Sequence, residues 1–261
     1  MTNLYQGTEL ELFAKARNWK SYVAASLAPY IRGRVLDVGA GIGGNIRYLV
    51  NPGVTNWLAL EPDPGLAVTI GERITDHPPL VDCSVLTGTI ETIPTTARFD
   101  TILYMDVLEH IADDGREVKR ASGLLAQGGC LVVLAPAHQF LFSPFDAAIG
   151  HHRRYSLKQL HALMPANCRT EVCRLMDCVG FFASLANRVA LRQSDPTERQ
   201  IAVWDRLMVR VSRVLDPIAG YRLGKSVLMV WRAGLAADGA WATDESHSDA
   251  LPEHRTLTSN F

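Results

Sequence analysis

Short apolar segments alternate with helical segments along the first half of the chain. Runs rich in Val, Leu and Ile that stop at glycine, proline or acidic residues predict buried strands. The segments of this kind are 34–41, 56–62, 82–88, 99–105 and 130–136. Between them, apolar residues recur at helical spacing, and the last such helix is predicted over 113–129, with Gly128 at its end. Strands that alternate with helices predict a doubly wound parallel sheet.

The two ends of the chain add elements to this sheet. The spacing of apolar residues over 9–30 predicts an amphipathic helix that can be broken in its middle. Segments 168–175 and 226–233 predict two more strands, and the periodic segment 198–218 predicts a helix between them. The predicted fold is therefore α/β and Rossmann-like, a doubly wound and mostly parallel seven-stranded sheet. It carries an N-terminal helix and a helical insertion before the last strand.

The same pattern predicts the domain organisation. Residues 1–30 form a helical cap and residues 31–235 one α/β domain, with the insertion at about 180–222. Residues 236–261 are polar and lack a sustained period, so we predict a disordered tail.

Composition narrows the function classes. The formal net charge of −1 gives no reason to expect nucleic-acid binding. We find no signal peptide and no apolar run of membrane-spanning length, and the odd count of 5 cysteines does not indicate a disulfide framework. The spacing of Cys168, Cys173 and Cys178 matches neither common zinc pattern. We therefore expect a cytoplasmic protein.

Candidate chemistry begins where the first strand ends, in "VLDVGAGIGGN". Gly39, Gly41 and Gly43 allow the backbone to approach a ligand closely at the carboxyl edge of the sheet. The carboxylate of Asp37 disfavours a pyrophosphate there and suits a cationic or zwitterionic ligand. Glu61 closes the second strand, where it can accept hydrogen bonds from both hydroxyls of a ribose.

At this point the chain resembles the class I S-adenosylmethionine-dependent methyltransferases. The resemblance covers about residues 30–136, because "VLDVGAGIGGN", "LALEPD", "GTIETIP", "FDTILYMDVLEHI" and "LLAQGGCLVVLAP" follow the family's order and spacing. It implies S-adenosylmethionine as the cofactor. The family often has an acidic residue where Thr89 stands, so the contacts to the adenine amino group are the least secure.

The resemblance also implies a role for each cofactor residue. Asp37 and the three glycines would line the methionine end, and Glu61 would hold the ribose. Pro62 would pack beside the adenine, and the backbone of Ile90 would lie near it. Residues 104–106, which end in Asp106, would pass close to the sulfur that carries the methyl group.

The segment "DVLEH" has two interpretations. It resembles the pattern of ubiquinone-pathway O-methyltransferases, in which two carboxylates and a histidine hold a divalent metal. Here Asp106 replaces a longer glutamate. In many other family members a similar segment caps the next helix, with the equivalents of Glu109 and His110 turned aside. We favour the second interpretation and assign no metal.

The segment "GHHRRYS" follows the fifth strand, where loops cover the acceptor pocket. It resembles a bacterial subgroup of these enzymes with a GH-x-RRY loop. His151 is predicted to be the base for a hydroxyl acceptor, since histidine titrates near neutrality. Arg153 and Arg154, with Tyr155, are predicted to bind the substrate, because guanidinium groups bind carboxylate or phosphate. In the alternative, one arginine pairs with Asp146 and the other faces water.

The insertion carries a further signal. One side of its predicted helix is apolar and is flanked by Arg206, Arg210 and Arg213; the apolar residues are Ile201, Trp204, Leu207, Met208, Val211 and Leu215. Such a helix usually packs on its own domain. A basic amphipathic helix can also make a peripheral membrane contact, which would suit a lipid-linked acceptor.

Together these observations predict a methyltransferase acting on a small or lipid-linked molecule at a hydroxyl oxygen. One alternative is a non-catalytic, cofactor-binding partner subunit of another enzyme. Another is an N-methyltransferase that needs no general base. The sequence does not identify the acceptor or the oligomeric state.

Overall fold

The chain forms a seven-stranded sheet with the order β3-β2-β1-β4-β5-β7-β6. The structure is a computed structural model that describes residues 8–188 and 197–234. The strands are β1 (Gly33–Val38), β2 (Val54–Glu61), β3 (Asp82–Thr87), β4 (Phe99–Met105), β5 (Leu125–Pro136), β6 (Cys168–Met176) and β7 (Ser226–Ala233). The predicted Rossmann-like, mostly parallel fold is confirmed.

The sheet order creates a crevice at one edge. β1 to β5 pair in parallel, so their carboxyl ends meet at the same edge, whereas β7 runs antiparallel to β5 and β6. Chain order reverses between β1 and β4, because β2 and β3 lie on one side and β5 on the other. Ligands of open α/β sheets bind beside such a switch point.

Helices cover both faces of the sheet. They are α1 (Thr8–Ala14), α2 (Arg17–Leu27), α3 (Ile46–Leu49), α4 (Pro64–Asp76), α5 (Asp114–Ser122), α6 (Pro144–Ala148), α7 (Leu157–Ala162), α8 (Cys178–Ala186), α9 (Glu198–Val203) and α10 (Val209–Ile218). Two clusters of buried side chains result, one on each face. Leu36 and Trp231 belong to one cluster, and Leu27 and Trp57 to the other.

The predicted N-terminal helix is broken, as the pattern allowed, into α1 and α2. The start of α2 is bound to the insertion through Asp205, which is buried. Its carboxylate accepts hydrogen bonds from the amide groups of Asn18 and from the backbone N–H of Trp19, at 2.9 to 3.2 Å. The insertion and the N-terminal helices therefore act together as one cover over the sheet edge.

The helix predicted over 113–129 is too long. It ends at Ser122, and the following residues already pair with β4, where the register shifts between Phe99 and Thr101. Gly129 explains this close approach, since a Cβ there would lie 3.1 Å from the carbonyl oxygens of Phe99 and Asp100. The glycines therefore allow a strand irregularity and do not end a helix.

The predicted helix 198–218 is confirmed and is called here the insertion helix. It consists of α9, a π-helical turn over Trp204–Met208, and α10. No helix in the described part of the chain is long and apolar enough to cross a membrane. The predicted tail, 236–261, lies outside the described residues, and the domain boundaries stay predictions.

Candidate functional site

A cavity of about 1110 Å³ opens at the carboxyl edge of the sheet. The loop of residues 39–45, called here the glycine loop, forms its floor together with Asp106. The segment 141–154 forms one wall, and α1, α2, α8 and the insertion helix cover it. Typical ligand pockets hold about 300–1,000 Å³. The cavity is therefore large enough for a cofactor together with an acceptor.

The glycine loop turns sharply at the floor of the cavity. Gly39, Gly41 and Gly43 all have positive φ angles, from 60° to 69°. A Cβ on Gly39 would lie 2.8 Å from both γ carbons of Val107, so no side chain fits there. Gly39 and Gly41 line the cavity, together with Asp106.

The other predicted cofactor residues are not among the described residues that line the cavity; these are Asp37, Gly43, Glu61, Pro62 and Ile90. Glu61 is buried, and its two carboxylate oxygens accept hydrogen bonds from the backbone N–H groups of Gly41 and Asp63, at 2.8 and 3.0 Å. Pro62 is exposed directly after it, whereas the side chain of Ile90 lies in the core. Glu61 therefore links the end of β2 to the glycine loop.

Two carboxylates below the cavity are held in unusual environments. Asp37 is buried, and burial raises its pKa to about 7. Asp106 is exposed to the cavity, and the protein around it excludes enough water to raise its pKa as well. Its backbone has a φ of 57°. The positive charges of Lys20 and Lys225 oppose the shift at Asp106. These carboxylates would favour a cationic ligand, whose charge would compensate for the loss of hydration.

Lys20 is a site residue that the sequence analysis missed. It extends from α2 to the glycine loop, where its Nζ donates a 2.6 Å hydrogen bond to Oδ1 of Asn45. Burial lowers its pKa to about 8. The sequence offered one signal for this role, because Lys20 lies on the same helix face as the buried Val23 and Leu27. Its ammonium group lies where a ligand carboxylate could be bound.

His151 lies on the cavity wall, as predicted for the catalytic base. Its Nδ1 is 2.9 Å from Oδ1 of Asp146, and its side chain is only 9% exposed. An ionised carboxylate only accepts, so Nδ1 donates the hydrogen bond and Nε2 keeps a free lone pair. The result is a carboxylate–histidine dyad that the sequence analysis did not assign.

Asp146 is fixed by several donors. The guanidinium of Arg154 binds it through Nε and Nη2, both at 2.9 Å, and the N–H and hydroxyl of Ser143 each donate at 2.7 Å. Burial alone would raise the pKa of Asp146, but the hydrogen bonds from His151 and Arg154 hold it well below its usual range. Asp146 is therefore ionised and can stabilise a positive charge on His151.

The structure assigns internal partners to the residues predicted to bind substrate. Arg154 lines the cavity, but its guanidinium is paired with Asp146, as in the alternative interpretation. Arg153 is partly exposed, and it is also paired. It binds Asp114 and the carbonyl of Ala112. Tyr155 is buried and donates a 2.8 Å hydrogen bond to the same Asp114. Neither Arg153 nor Tyr155 is among the described residues of the cavity wall.

The interpretation of Glu109 and His110 as a helix cap is wrong. Asp113 caps α5, by accepting a hydrogen bond from the backbone N–H of Arg116. Glu109 and His110 line the cavity instead. The Glu109 side chain is fully buried, and neither carboxylate oxygen has a hydrogen-bond partner in another described residue.

Glu109, His110 and His151 come together above Asp106. Oε1 of Glu109 lies 3.8 Å from Nε2 of His151. The rings of His110 and His151 pack edge to face, with their centroids 4.5 Å apart. One ligand atom from each of the three residues lies within 4.8 Å of the others. Burial raises the pKa of Glu109, and burial together with the neighbouring histidines lowers the pKa of His110 to about 4. A carboxylate and two neutral imidazoles are a donor set that suits a divalent metal.

The part of the chain that carries the switch point and the glycine loop matches a known domain family. The methyltransferase domain family matches residues 36–133, which run from β1 into β5. For this matched domain, the predicted class of S-adenosylmethionine-dependent methyltransferases and the predicted cofactor are confirmed.

The chain is also similar to individual proteins. It is 32% identical over 111 residues to a ubiquinone biosynthesis O-methyltransferase of Azorhizobium caulinodans, a match that covers 42% of this chain and 43% of that protein. The matched region is thus less than half the length of this relative.

Two solved structures show the extent of the fold similarity. An S-adenosylmethionine-dependent methyltransferase from Clostridium acetobutylicum superposes with a TM-score of 0.53 and 9% identity, over 84% of this chain and 92% of that one. The [4+2]-cyclase SpnF superposes with a TM-score of 0.58 and 14% identity, over 84% and 81%. At these identities the similarity establishes the fold, and the reaction has to be argued from the site.

Proposed function

We propose that this chain methylates a hydroxyl oxygen of a small or lipid-linked molecule, with His151 as the base that accepts the hydroxyl proton. The carboxylate–histidine dyad of Asp146 and His151 on the cavity wall is the observation that carries the proposal. An amine can react without a base, whereas a hydroxyl gains from one. The O-methyltransferase of Azorhizobium caulinodans supports oxygen as the acceptor atom.

S-adenosylmethionine, when bound, supplies a methyl group on a positively charged sulfur, and the residues of the chain position the acceptor and take up its proton. Nε2 of His151 would accept the proton that the acceptor hydroxyl loses on methylation. Asp146 holds the ring through Nδ1 and stabilises the imidazolium. Arg154 keeps Asp146 in place, and the buried carboxyl group of Glu109 lies 3.8 Å from Nε2.

The acceptor atom can be tested with labelled S-adenosylmethionine and pairs of aromatic acceptors that differ only in carrying a hydroxyl or an amine. We expect the label on the hydroxyl compounds. Transfer to the amines alone would overturn the proposal and favour an N-methyltransferase. Tight cofactor binding with no transfer to any acceptor would favour a non-catalytic partner subunit.

The cluster of Glu109, His110 and His151 favours a second candidate, a metal-assisted O-methyltransferase. The unpartnered carboxylate of Glu109 and the two imidazoles fit a divalent cation, which would bind the acceptor hydroxyl and lower its pKa. In that case Nε2 of His151 would be a ligand and could not accept the proton.

Exhaustive chelation distinguishes the two candidates. We expect turnover to survive EDTA, because burial raises the pKa of Glu109 and a protonated carboxyl group there needs no cation to balance it. Turnover should be measured before chelation, after it, and after adding back Mg²⁺, Mn²⁺ or Zn²⁺. If chelation abolishes turnover and one of these ions restores it, the cluster binds a metal.

Lys20 is proposed to bind the carboxylate of the cofactor's methionine end. Lys20→Met should raise the Kd for S-adenosylmethionine by about tenfold, the value of a hydrogen bond to a charged group. Lys119→Met removes an exposed lysine on α5 and should leave the Kd unchanged. Calorimetry measures both, and equal affinities for the two variants would contradict the role of Lys20.

Cofactor affinity should also depend on pH. Asp37, with a pKa of about 7, must lose its proton to attract the cationic cofactor, so affinity rises as the pH approaches 7. Lys20, with a pKa of about 8, must keep its proton, so affinity falls again above pH 8. Calorimetry from pH 5 to pH 10 should show a maximum between these two values. The fall above about pH 8 should be shallower in Lys20→Met, where the α-amino group of the cofactor still titrates but Lys20 does not.

A further inference from the structure

The insertion helix exposes a continuous line of apolar side chains to solvent. Leu207 is 62% exposed, Val214 62% and Ile218 77%, and Val211 and Leu215 lie between them, also exposed. Their spacing of three or four positions places them on one side of the helix. We call this line the apolar stripe. Isolated apolar residues are common on surfaces, but a stripe along a whole helix usually marks a contact.

The charges of the insertion helix are separated between its two faces. Its aspartates, Asp205 and Asp216, are both buried. Asp216 accepts hydrogen bonds from the hydroxyl of Tyr22 and the backbone N–H of Asp177, at 2.9 and 2.7 Å. The arginines beside the apolar stripe are all exposed, and these are Arg206, Arg210 and Arg213. Both aspartates point inward, and the exposed Glu198 at the start of the helix is paired with Lys15, so the surface beside the apolar stripe is both apolar and positively charged.

The apolar stripe leads to the cavity. Val203, one turn before Leu207, is 51% exposed and also lines the cavity, as does Arg199 in the turn before it. Across the opening, α8 exposes Phe182 at 55% next to Ala183, a wall residue. The same surface therefore continues from the exposed stripe to the interior of the site.

We infer that the apolar stripe and its arginines dock the enzyme on a bilayer that contains anionic lipids. A helix that is apolar on one side and arginine-rich beside it binds in the plane of such a surface, with the apolar side chains in the acyl boundary and the guanidinium groups at the phosphates. The positive charge selects the anionic surface, and the stripe brings the opening of the cavity to it. Docking itself does not depend on the proposed reaction.

The test is flotation of the full chain with lipid vesicles. We expect the protein to bind vesicles of phosphatidylcholine mixed with phosphatidylglycerol more tightly than phosphatidylcholine alone, and binding should weaken as salt increases. The double variant Leu207→Gln, Ile218→Gln should lower the affinity by about tenfold or more. Arg206→Gln with Arg213→Gln should remove the preference for anionic vesicles.

Matched controls lie at the opposite edge of the sheet and on α5. Leu80→Gln replaces an apolar side chain that is 99% exposed just before β3, and Arg116→Gln removes an exposed arginine on α5. Both should bind vesicles like the wild type. Circular dichroism and cofactor calorimetry verify that every variant is folded. The result of neither measurement depends on the side chains of the apolar stripe.

Two outcomes would overturn the inference. The first is a wild-type protein that does not float with either vesicle, or that floats equally well when the stripe is replaced. The second is a dimer, seen by light scattering, that the Leu207→Gln, Ile218→Gln variant separates into monomers while vesicle binding is absent. A second copy of the chain would then cover the stripe.

Discussion

Replacing His151 with alanine is expected to lower turnover by about a hundredfold or more, while the affinity for S-adenosylmethionine stays nearly unchanged. His151 is the group on the cavity wall that can accept the hydroxyl proton, and it does not hold the glycine loop. The wild-type rate should rise with pH, because a general base has to be unprotonated before it can accept the hydroxyl proton. That rise should be absent in His151→Ala. Steady-state kinetics across pH, with calorimetry for the cofactor, measures both effects.

His152→Ala is the matched control for this prediction. His152 is adjacent in sequence but exposed, and its backbone N–H donates to the carbonyl of Glu109. Its side chain should therefore contribute little to the rate. Asp146→Asn should reduce turnover as well, since it removes the charge that fixes and stabilises His151. Wild-type rates at every pH in both histidine variants would exclude a catalytic role for the segment.

Replacing Glu61 with alanine is expected to weaken the binding of S-adenosylmethionine by roughly 2 kcal/mol, or about thirtyfold in Kd. The variant loses the charged acceptor proposed for the ribose hydroxyls. It also leaves the backbone N–H groups of Gly41 and Asp63 without their partner. Calorimetry gives the affinity directly.

Glu61→Gln separates these two causes, because the amide oxygen can still accept from Gly41 but carries no charge. Its affinity should lie between those of the wild type and the alanine variant. Glu91→Ala removes an exposed glutamate that pairs with Arg116, away from the cavity, and should have no effect. Unchanged binding in Glu61→Ala would contradict the cofactor site.

The sequence was a reliable guide to the strands and to the cofactor loop. A buried parallel strand such as β1 needs a continuous apolar run, and its turn into a ligand site needs glycines at positive φ, so both leave a local signal. The error at 113–129 has the same origin. Gly128 has a φ of 68°, which fits either a helix end or a strand irregularity, and the local pattern does not distinguish them.

The residues of the cavity wall were only partly predictable from the sequence. The segment "GHHRRYS" was correctly placed on the cavity as far as His151 and Arg154 are concerned. The partner of Arg153 and Tyr155 is Asp114, which lies 41 positions before Tyr155 in the chain, and this pairing depends on tertiary structure. Lys20 reaches the glycine loop from α2. Glu109 faces His151 because the segment after β4 meets the segment after α6. Such contacts between distant segments have no spacing that a sequence pattern could reveal.

The most direct test of the account is transfer of a labelled methyl group by the purified chain. S-adenosylmethionine with an isotopically labelled methyl group is incubated with the wild type, or with His151→Ala, and an extract of cells that lack this protein. The account predicts that the wild type yields a labelled product whose methyl group is on a hydroxyl oxygen, as identified by mass spectrometry, and that His151→Ala yields far less. A wild-type protein that binds the cofactor but labels nothing, or that labels only nitrogen, would contradict it.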